Sequence, residues 1–294
     1  MRPGRTSLPE VPPAPVIVTL TTDFGLQDGY VAAMKGAMLT AAPGVQVVDV
    51  THDVPAQDVM AAAFVLGQTA PYFPAGTVHL AVVDPGVGTP RRAIAARATV
   101  GGTPCRFVGP DNGLLPLVAE GGSVEAVVLD RPDAWRTPVP SDTFHGRDVF
   151  GPVAAALAAG AALGDVGSPA GALTPLQWPL PRVDDGGVEG MVLHIDRFGN
   201  CVTNIPREAV AGRGGAFKAY VGTAVLRRHA PSYGHVAAGE PLTLFGSSGH
   251  LEIAVNRGHA ASLLSVVRGA SVNLVFDPVP APPPRPQARA TSAA

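Results

Sequence analysis

The chain is predicted to be an α/β protein, with a mixed or parallel sheet flanked by helices in its N-terminal part and a smaller antiparallel, barrel-like β domain after it. Three observations predict this. Apolar, β-branched runs alternate with helix-like stretches through the N-terminal part. A Pro- and Gly-rich stretch at 168–187 then breaks every periodicity, and beyond it the runs become short, strand-like and divided by turn residues.

Residues 1–14 are Pro-rich and poor in large apolar groups, a composition that cannot offset the entropy of ordering, so they are expected to be disordered. Strands are predicted at 16–21, 45–50, 78–83 and 125–129, where Val, Ile and Leu crowd into runs of strand length. Helices at 30–39 and 57–67 separate the first three, the pattern of parallel strands joined by crossovers. Another helix is expected at 148–162, rich in Ala and Leu, with Pro152 in its first turn where proline is tolerated. These elements place an α/β domain at 15–170, a linker at 171–187 and a β domain at 188–278. Within the last, MVLHID, AYVG, LTLF, LEIAV, LLSVV and VNLVF supply short strands and no long helix. The tail at 279–294 is again Pro-rich and expected to be disordered.

A length of 294 residues suits two hydrophobic cores. With 21 basic against 23 acidic side chains there is no electrostatic footprint for nucleic acid or an anionic membrane, which leaves a small molecule as the expected partner. Cys105 and Cys201 stand far apart with no partner at metal-ligand spacing, so neither a disulfide framework nor a metal site is expected. The N-terminus carries no apolar signal core, and the small-apolar run at 153–164 is too short to span a bilayer; the expected location is the cytoplasm.

Five segments carry residues suited to chemistry. TTDFG at 21–25 ends a strand in Asp23, placed to accept hydrogen bonds from a ribose diol or simply to cap a turn. VDPGVGTPRR at 83–92 ends another strand in Asp84, followed by a Gly-rich turn and two guanidinium groups, an arrangement for a ligand or for an Asp–Arg brace. TFHGRD at 143–148 sets His145 and Gly146 at a helix entrance. DRFGN at 196–200 presents Asp196 and Asn200 from one tight turn, a pair suited to an amino-acid head group and equally to a plain hairpin. The segment FGSSGHLEIAVN at 245–256, with Tyr233 upstream, offers backbone groups for a purine edge and a ring for its face, again with a plain hairpin as the alternative.

Taken in order, TTDFG, VDPGVGTPRR, FVGPDNGLL at 107–115, TFHGRD, DRFGN and LEIAVN resemble the S-adenosylmethionine (SAM) hydroxide adenosyltransferase family, water-using relatives of the bacterial fluorinase and chlorinase. The resemblance spans about 16–276. It implies hydrolysis of SAM to adenosine and L-methionine, with SAM as substrate, no cofactor, and a homotrimer with active sites at subunit interfaces. It places the catalytic groups at Asp84, Arg91 and His145, with Gly146 beside the substrate. It places the ribose diol at Asp23, the methionine head at Asp196 and Asn200, and the adenine near Tyr233, Ser247, Glu252 and Val255. At Gln57 this chain lacks the Trp that halogenating relatives place over the substrate.

The sulfonium of SAM is already a good leaving group, so attack at the 5′ carbon needs an aligned nucleophile and no general acid. Asp84 or His145 can take the proton of a bound water while Arg91 stabilises developing hydroxide. A halogenase is the nearest rival, and Asp84 counts against it. Two like charges ~4 Å apart at an effective dielectric of ~20 repel by ~4 kcal/mol, a penalty for halide that water escapes. Halogenating relatives resemble this chain but carry a neutral residue at the Asp84 position, and fluorinases a Ser at that of Gly146; the segment at 94–107 is also too short for the fluorinase insertion. A non-catalytic SAM or adenosine sensor is the rival from another class. A metal-dependent hydrolase built on Asp23, Asp84 and His145 is the third, disfavoured by the absence of His-rich ligand spacing.

Overall fold

The run IVTLTT forms β1 (Ile17–Thr22), almost wholly buried because both faces of the strand are covered, which is why its sequence shows no polar alternation. The computed structural model describes residues 16–119, 123–213 and 216–277; the expected disordered segments at 1–14 and 279–294 lie outside these. The chain divides into two compact units, Met1–Trp178 and Pro179–Ala294.

In the first unit β1 is followed by α1 (Tyr30–Ala41), β2 (Gln46–Thr51), α2 (Val59–Thr69), β3 (Val78–Val82), β4 (Ala93–Val100), β5 (Thr103–Pro110), α3 (Leu114–Val118), β6 (Glu125–Val128), α4 (Gly151–Ala158), α5 (Leu163–Val166) and β7 (Ser168–Pro169). The sheet order is β2-β1-β3-β5-β4-β6-β7. Pairing is parallel from β2 through β5 and antiparallel from β5 through β7, so the sheet is mixed, as expected. Leu80 and Val82 of β3 pack with Met34 and Met38 of α1 and with α4, whereas Ala81 and Val83 pack with Leu66 of α2 and with α3. Helices α1 and α2 therefore cover opposite faces. The chain runs from β1 to β2 on one side and returns to β3 on the other, which opens a crevice at the carboxyl ends of β1 and β3.

The helix expected from 148 starts irregularly. Residues Gly146–Phe150 form a π-helical turn that leads into α4, and α4 ends at Ala158. Single π turns occur often at functional sites, because the extra residue re-aims the side chains around it.

His79 in β3 is buried, its Nδ1 2.7 Å from Thr19 Oγ1, and burial pulls its pKa from 6.5 to about 4. Between those values the unfolded chain binds a proton that the folded chain refuses, so stability is complete above the unfolded value and is lost as pH falls toward the folded one. His79→Gln is expected to remove about 2 kcal/mol of the difference in unfolding free energy between pH 7 and pH 4.5, measured by urea titration. An unchanged pH dependence would assign that acid sensitivity to other groups.

The second unit is a sheet of β8 (Arg182–Asp184), β9 (Gly187–Ile195), β10 (Cys201–Pro206), β11 (Phe217–Val221), β12 (Ala224–Leu226), β13 (Pro241–Phe245), β14 (His250–Val255) and β15 (Ser271–Phe276), with the short α6 (Ala260–Leu263) before the last strand. Its order is β12-β11-β15-β9-β10-β14-β13, with β8 on β9, and all the strand pairs are antiparallel. A bridge from His229 to Thr243 of β13 brings the two ends of the sheet together into a nearly closed barrel around Val188, Val192, Ile205, Leu251 and Ile253. No helix among the described residues is long and apolar enough to cross a membrane.

Candidate active site

Asp84 follows the end of β3, and the chain then turns back on itself. Val87 N–H donates to Asp84 C=O at 3.2 Å, Thr89 N–H to Gly86 C=O at 3.1 Å, and Thr89 Oγ1 to the same carbonyl at 2.6 Å. Asn112 Nδ2 donates to Val83 C=O at 2.8 Å and holds the strand end beside them. Gly88 is needed in this turn: its φ is +74°, and a Cβ there would lie 2.6 Å from Asp142 C=O.

The turn folds Arg91 back onto Asp84. Arg91 Nε donates to both carboxylate oxygens, at 2.9 and 3.1 Å, and Nη2 donates to Oδ2 at 2.5 Å. The same Nη2 lies 2.7 Å from His145 Nδ1. Both members of the ion pair are nearly enclosed, with side-chain exposures of 11% for Arg91 and 6% for Asp84, and the guanidinium lies 5.2 Å from the centre of the Phe150 ring. An acid, a cation and an imidazole from three separate segments thus meet at one point.

This geometry sets the state of the imidazole. A guanidinium has donors only, so His145 Nδ1 must accept, and the neutral ring carries its proton on Nε2. Burial and then the charge of Arg91 push the His145 pKa below its ordinary value, outweighing Asp84, Asp142 and Asp148. The ring is therefore neutral near pH 7 and offers an N–H donor.

Asp148 positions the segment that carries His145. Its buried carboxylate accepts from Arg136 Nε at 2.5 Å, Arg147 Nε at 2.7 Å, Arg147 Nη2 at 2.8 Å and Ser141 N–H at 3.0 Å. The hydrogen bonds from Arg147, joined by those from Arg136 and Ser141, hold its pKa well below the carboxylate range against the opposing effect of burial. Sequence reasoning quoted this Asp in TFHGRD and passed over it. The available signal was Arg147 next to it in the chain.

A cavity of about 510 Å³ opens in front of the trio, lined by Asp23, Phe24, Tyr30, Gln57, Asp84, Phe144, His145 and Gly146 among others. Asp23 and Asp84 follow the carboxyl ends of the adjacent parallel strands β1 and β3, at the crevice there. Phe24, Tyr30 and Phe144 meet edge to face and form an apolar wall. Gly146 sits tightly against that wall. A Cβ there would lie 3.3 Å from the Phe24 ring and 3.4 Å from Met34 Sδ and the Phe144 ring, so a serine enters only if those groups give way.

Asp196, Asn200, Tyr233 and Val255 line a second cavity, of about 520 Å³, within the β unit. Here the carboxylate holds its own turn. Asp196 Oδ1 accepts from Phe198 N–H at 2.9 Å and Asn200 N–H at 2.8 Å, and Oδ2 accepts from Asn200 Nδ2 at 2.9 Å. Among the described residues three donors reach a carboxylate that offers about four acceptor positions. Gly199 is required in the turn: φ is +85° and a Cβ would lie 2.2 Å from the His259 ring. Tyr233 OH donates to Glu252 Oε1 at 2.5 Å, which brings Glu252 beside this cavity; burial raises the pKa of both groups. Ser247 lies exposed on the turn between β13 and β14, outside the cavity wall.

Among the described residues no three His, Cys, Asp or Glu side chains gather as a metal site. Residues 18–167 match the family model described as the SAM hydroxide adenosyltransferase N-terminal domain, and 190–273 match that of the C-terminal domain. The chain is 46% identical over 256 residues to the (R)-S-adenosyl-L-methionine hydrolase of Salinispora arenicola, covering 86% of this chain and 95% of that one. To the fluorinase of an Actinoplanes species it is 30% identical over 289 residues, covering 88% and 97%. A crystal structure of an uncharacterized conserved protein from Thermotoga maritima superposes with a TM-score of 0.81 at 38% identity, covering 88% of this chain and 99% of that one.

Proposed function

The chain belongs to the SAM hydroxide adenosyltransferase family, and from that premise we propose that it hydrolyses SAM to adenosine and L-methionine by attack of an activated water at the ribose 5′ carbon. The observation that carries the reading is the convergence of Asp84, Arg91 and His145, with Asp84 and His145 in the wall of one cavity and Arg91 bonded to both behind it. His145 Nε2–H points a donor at the water oxygen, and Asp84, the one anion of the three, takes the water proton. Arg91 holds both and stabilises the hydroxide as it forms. As the C–S bond breaks, its electron pair goes to sulfur, and methionine leaves as a neutral thioether.

The remaining roles follow the same reading. Asp23 receives the ribose diol and Gly146 leaves room beside it. Asp196 and Asn200 receive the methionine head; Tyr233, Glu252 and Val255 lie at the adenine, with Ser247 reaching it only from the exposed turn outside the cavity wall. The substrate needs no cofactor, and the active enzyme is a homotrimer with its sites at subunit interfaces in the cytoplasm. The negative charge of Asp84 makes halide a poor occupant of the water position.

The test is incubation with SAM in buffer containing fluoride or chloride, followed by chromatography, with light scattering on the same preparation. Adenosine and methionine in equal amounts, from a particle of trimer mass, are expected. A 5′-halo nucleoside would establish halogenation instead, and intact SAM bound without turnover would establish a sensor.

A further inference from the structure

Gln57 holds its backbone at φ +65°, in the left-handed region, although it is neither glycine nor asparagine. A side chain with a Cβ is disfavoured there, and such conformations persist where surrounding structure imposes them. The cause is local. Asp58 N–H donates to Pro55 C=O at 3.0 Å and closes a four-residue turn with Gln57 third, the position at which a type II turn demands positive φ. Glycine is the usual occupant. The Gln57 side chain is exposed, so burial does not explain the conformation.

What the turn accomplishes is visible at the cavity. Gln57 N–H donates to Asp23 Oδ2 at 2.8 Å, and among the described residues no protein donor is bonded to Asp23 Oδ1. The segment that presents this N–H is itself pinned to the end of β1. Thr22 Oγ1 lies 2.8 Å from His52 Nδ1, Gly25 N–H donates to His52 C=O at 2.8 Å, and Val54 N–H donates to Thr22 C=O at 3.3 Å. On the far side the Asp58 side chain caps α2 by accepting from Ala61 N–H at 2.9 Å. Residues 55–57 therefore span two fixed points, and the left-handed step aims the amide at the carboxylate.

We infer that Gln57 is a positioning residue for substrate recognition: its main-chain N–H holds one oxygen of Asp23 so that the other meets the hydroxyl pair of a ribose. This rests on the reading of Asp23 as the ribose group. It makes discrimination against 2′-deoxyribose depend on the backbone of Gln57, not on its side chain.

Calorimetric binding of adenosine and 2′-deoxyadenosine tests it without turnover. Gln57→Gly keeps the amide and favours the turn, and is expected to retain wild-type discrimination between the two ligands. Gln57→Pro lacks the N–H and cannot adopt positive φ. It is expected to weaken adenosine binding about tenfold, or about 1.4 kcal/mol, and to bring discrimination close to that of Asp23→Ala. In an Asp23→Ala background Gln57→Pro should add less than about twofold, the non-additivity expected of two groups acting as one. Full discrimination by Gln57→Pro, or an undiminished loss in the Asp23→Ala background, overturns the inference. So does loss of discrimination in Gln57→Gly, which stands as a test even if the proline variant fails to fold. A wild-type protein that binds both nucleosides equally removes the ribose reading of Asp23 itself; one that separates them while Gln57→Pro does so too removes only the role of Gln57.

Discussion

Asp84→Ala is expected to lower kcat for SAM hydrolysis by roughly 10³-fold, in the middle of the 10²–10⁴ range that positioned acid–base catalysis contributes, with KM changed by less than about threefold. The proposed role of Asp84 is to take the proton of the attacking water, an interaction that grows only as the transition state forms. Asp84→Asn makes the sharper test, because it keeps the shape and removes the charge. Arg91 would still reach His145, and the imidazole would still present its Nε2–H, but no anion would remain to receive the proton. The Asn variant should therefore be nearly as slow as the Ala variant. Single-turnover measurements at saturating SAM separate this from a binding defect. An Asn variant within about tenfold of wild type, less than the smallest such contribution, would overturn the assignment of Asp84 as the base.

The second large effect is on stability, and it comes from the neighbouring arginine. Arg92→Ala is expected to cost about 3 kcal/mol, because removing the half-buried guanidinium leaves the buried Asp111 carboxylate without its counter-charge. Arg92 Nε donates to Asp111 Oδ2 at 2.8 Å and Nη2 binds the same oxygen, while Nη1 donates to Ala170 C=O at 2.5 Å and Nη2 to Ala172 C=O at 2.6 Å. The Asp111 side chain is 1% exposed, and with Arg92 gone the donor left to it among the described residues is Thr174 N–H on Oδ1 at 2.9 Å. At roughly 2–4 °C per kcal/mol the midpoint of thermal unfolding should fall by roughly 6–12 °C. Arg92→Lys should recover only part of it, since one ammonium cannot reach three acceptors at once. A change of less than about 1 kcal/mol in either variant would put the pair in the class of exposed, weak salt bridges.

These two predictions show how far the chain could be read unaided. β1 and β3 were legible because buried parallel strands are written as runs of apolar residues, and the edge strand β2 because Val47, Val48 and Val50 give it a β-branched run of its own. The β4–β5 hairpin was not: half of AIAARATV is alanine, with Arg97 in the middle, and alanine favours a helix as readily as a buried strand. The helix expected at 148–162 was present in kind, but its first turn is π-helical and it stops at Ala158. That start depends on the tertiary anchors of Asp148, which no local propensity encodes.

By itself the sequence determined the chemical inventory: a carboxylate at the end of each of two strands, two consecutive guanidiniums, a histidine beside a glycine, and an order of motifs that carries the family resemblance. Composition and periodicity also determined the fold class. Only the tertiary structure decided which arginine serves which partner. In an extended segment consecutive side chains leave on opposite faces, so Arg91 turns to Asp84 and His145 while Arg92 turns to Asp111. It alone decided the tautomer of His145 and the left-handed backbone of Gln57, because both depend on donors brought from distant parts of the chain or on a turn closed between fixed ends. A linear sequence records which groups are present; the folded backbone determines the distances and directions at which they interact.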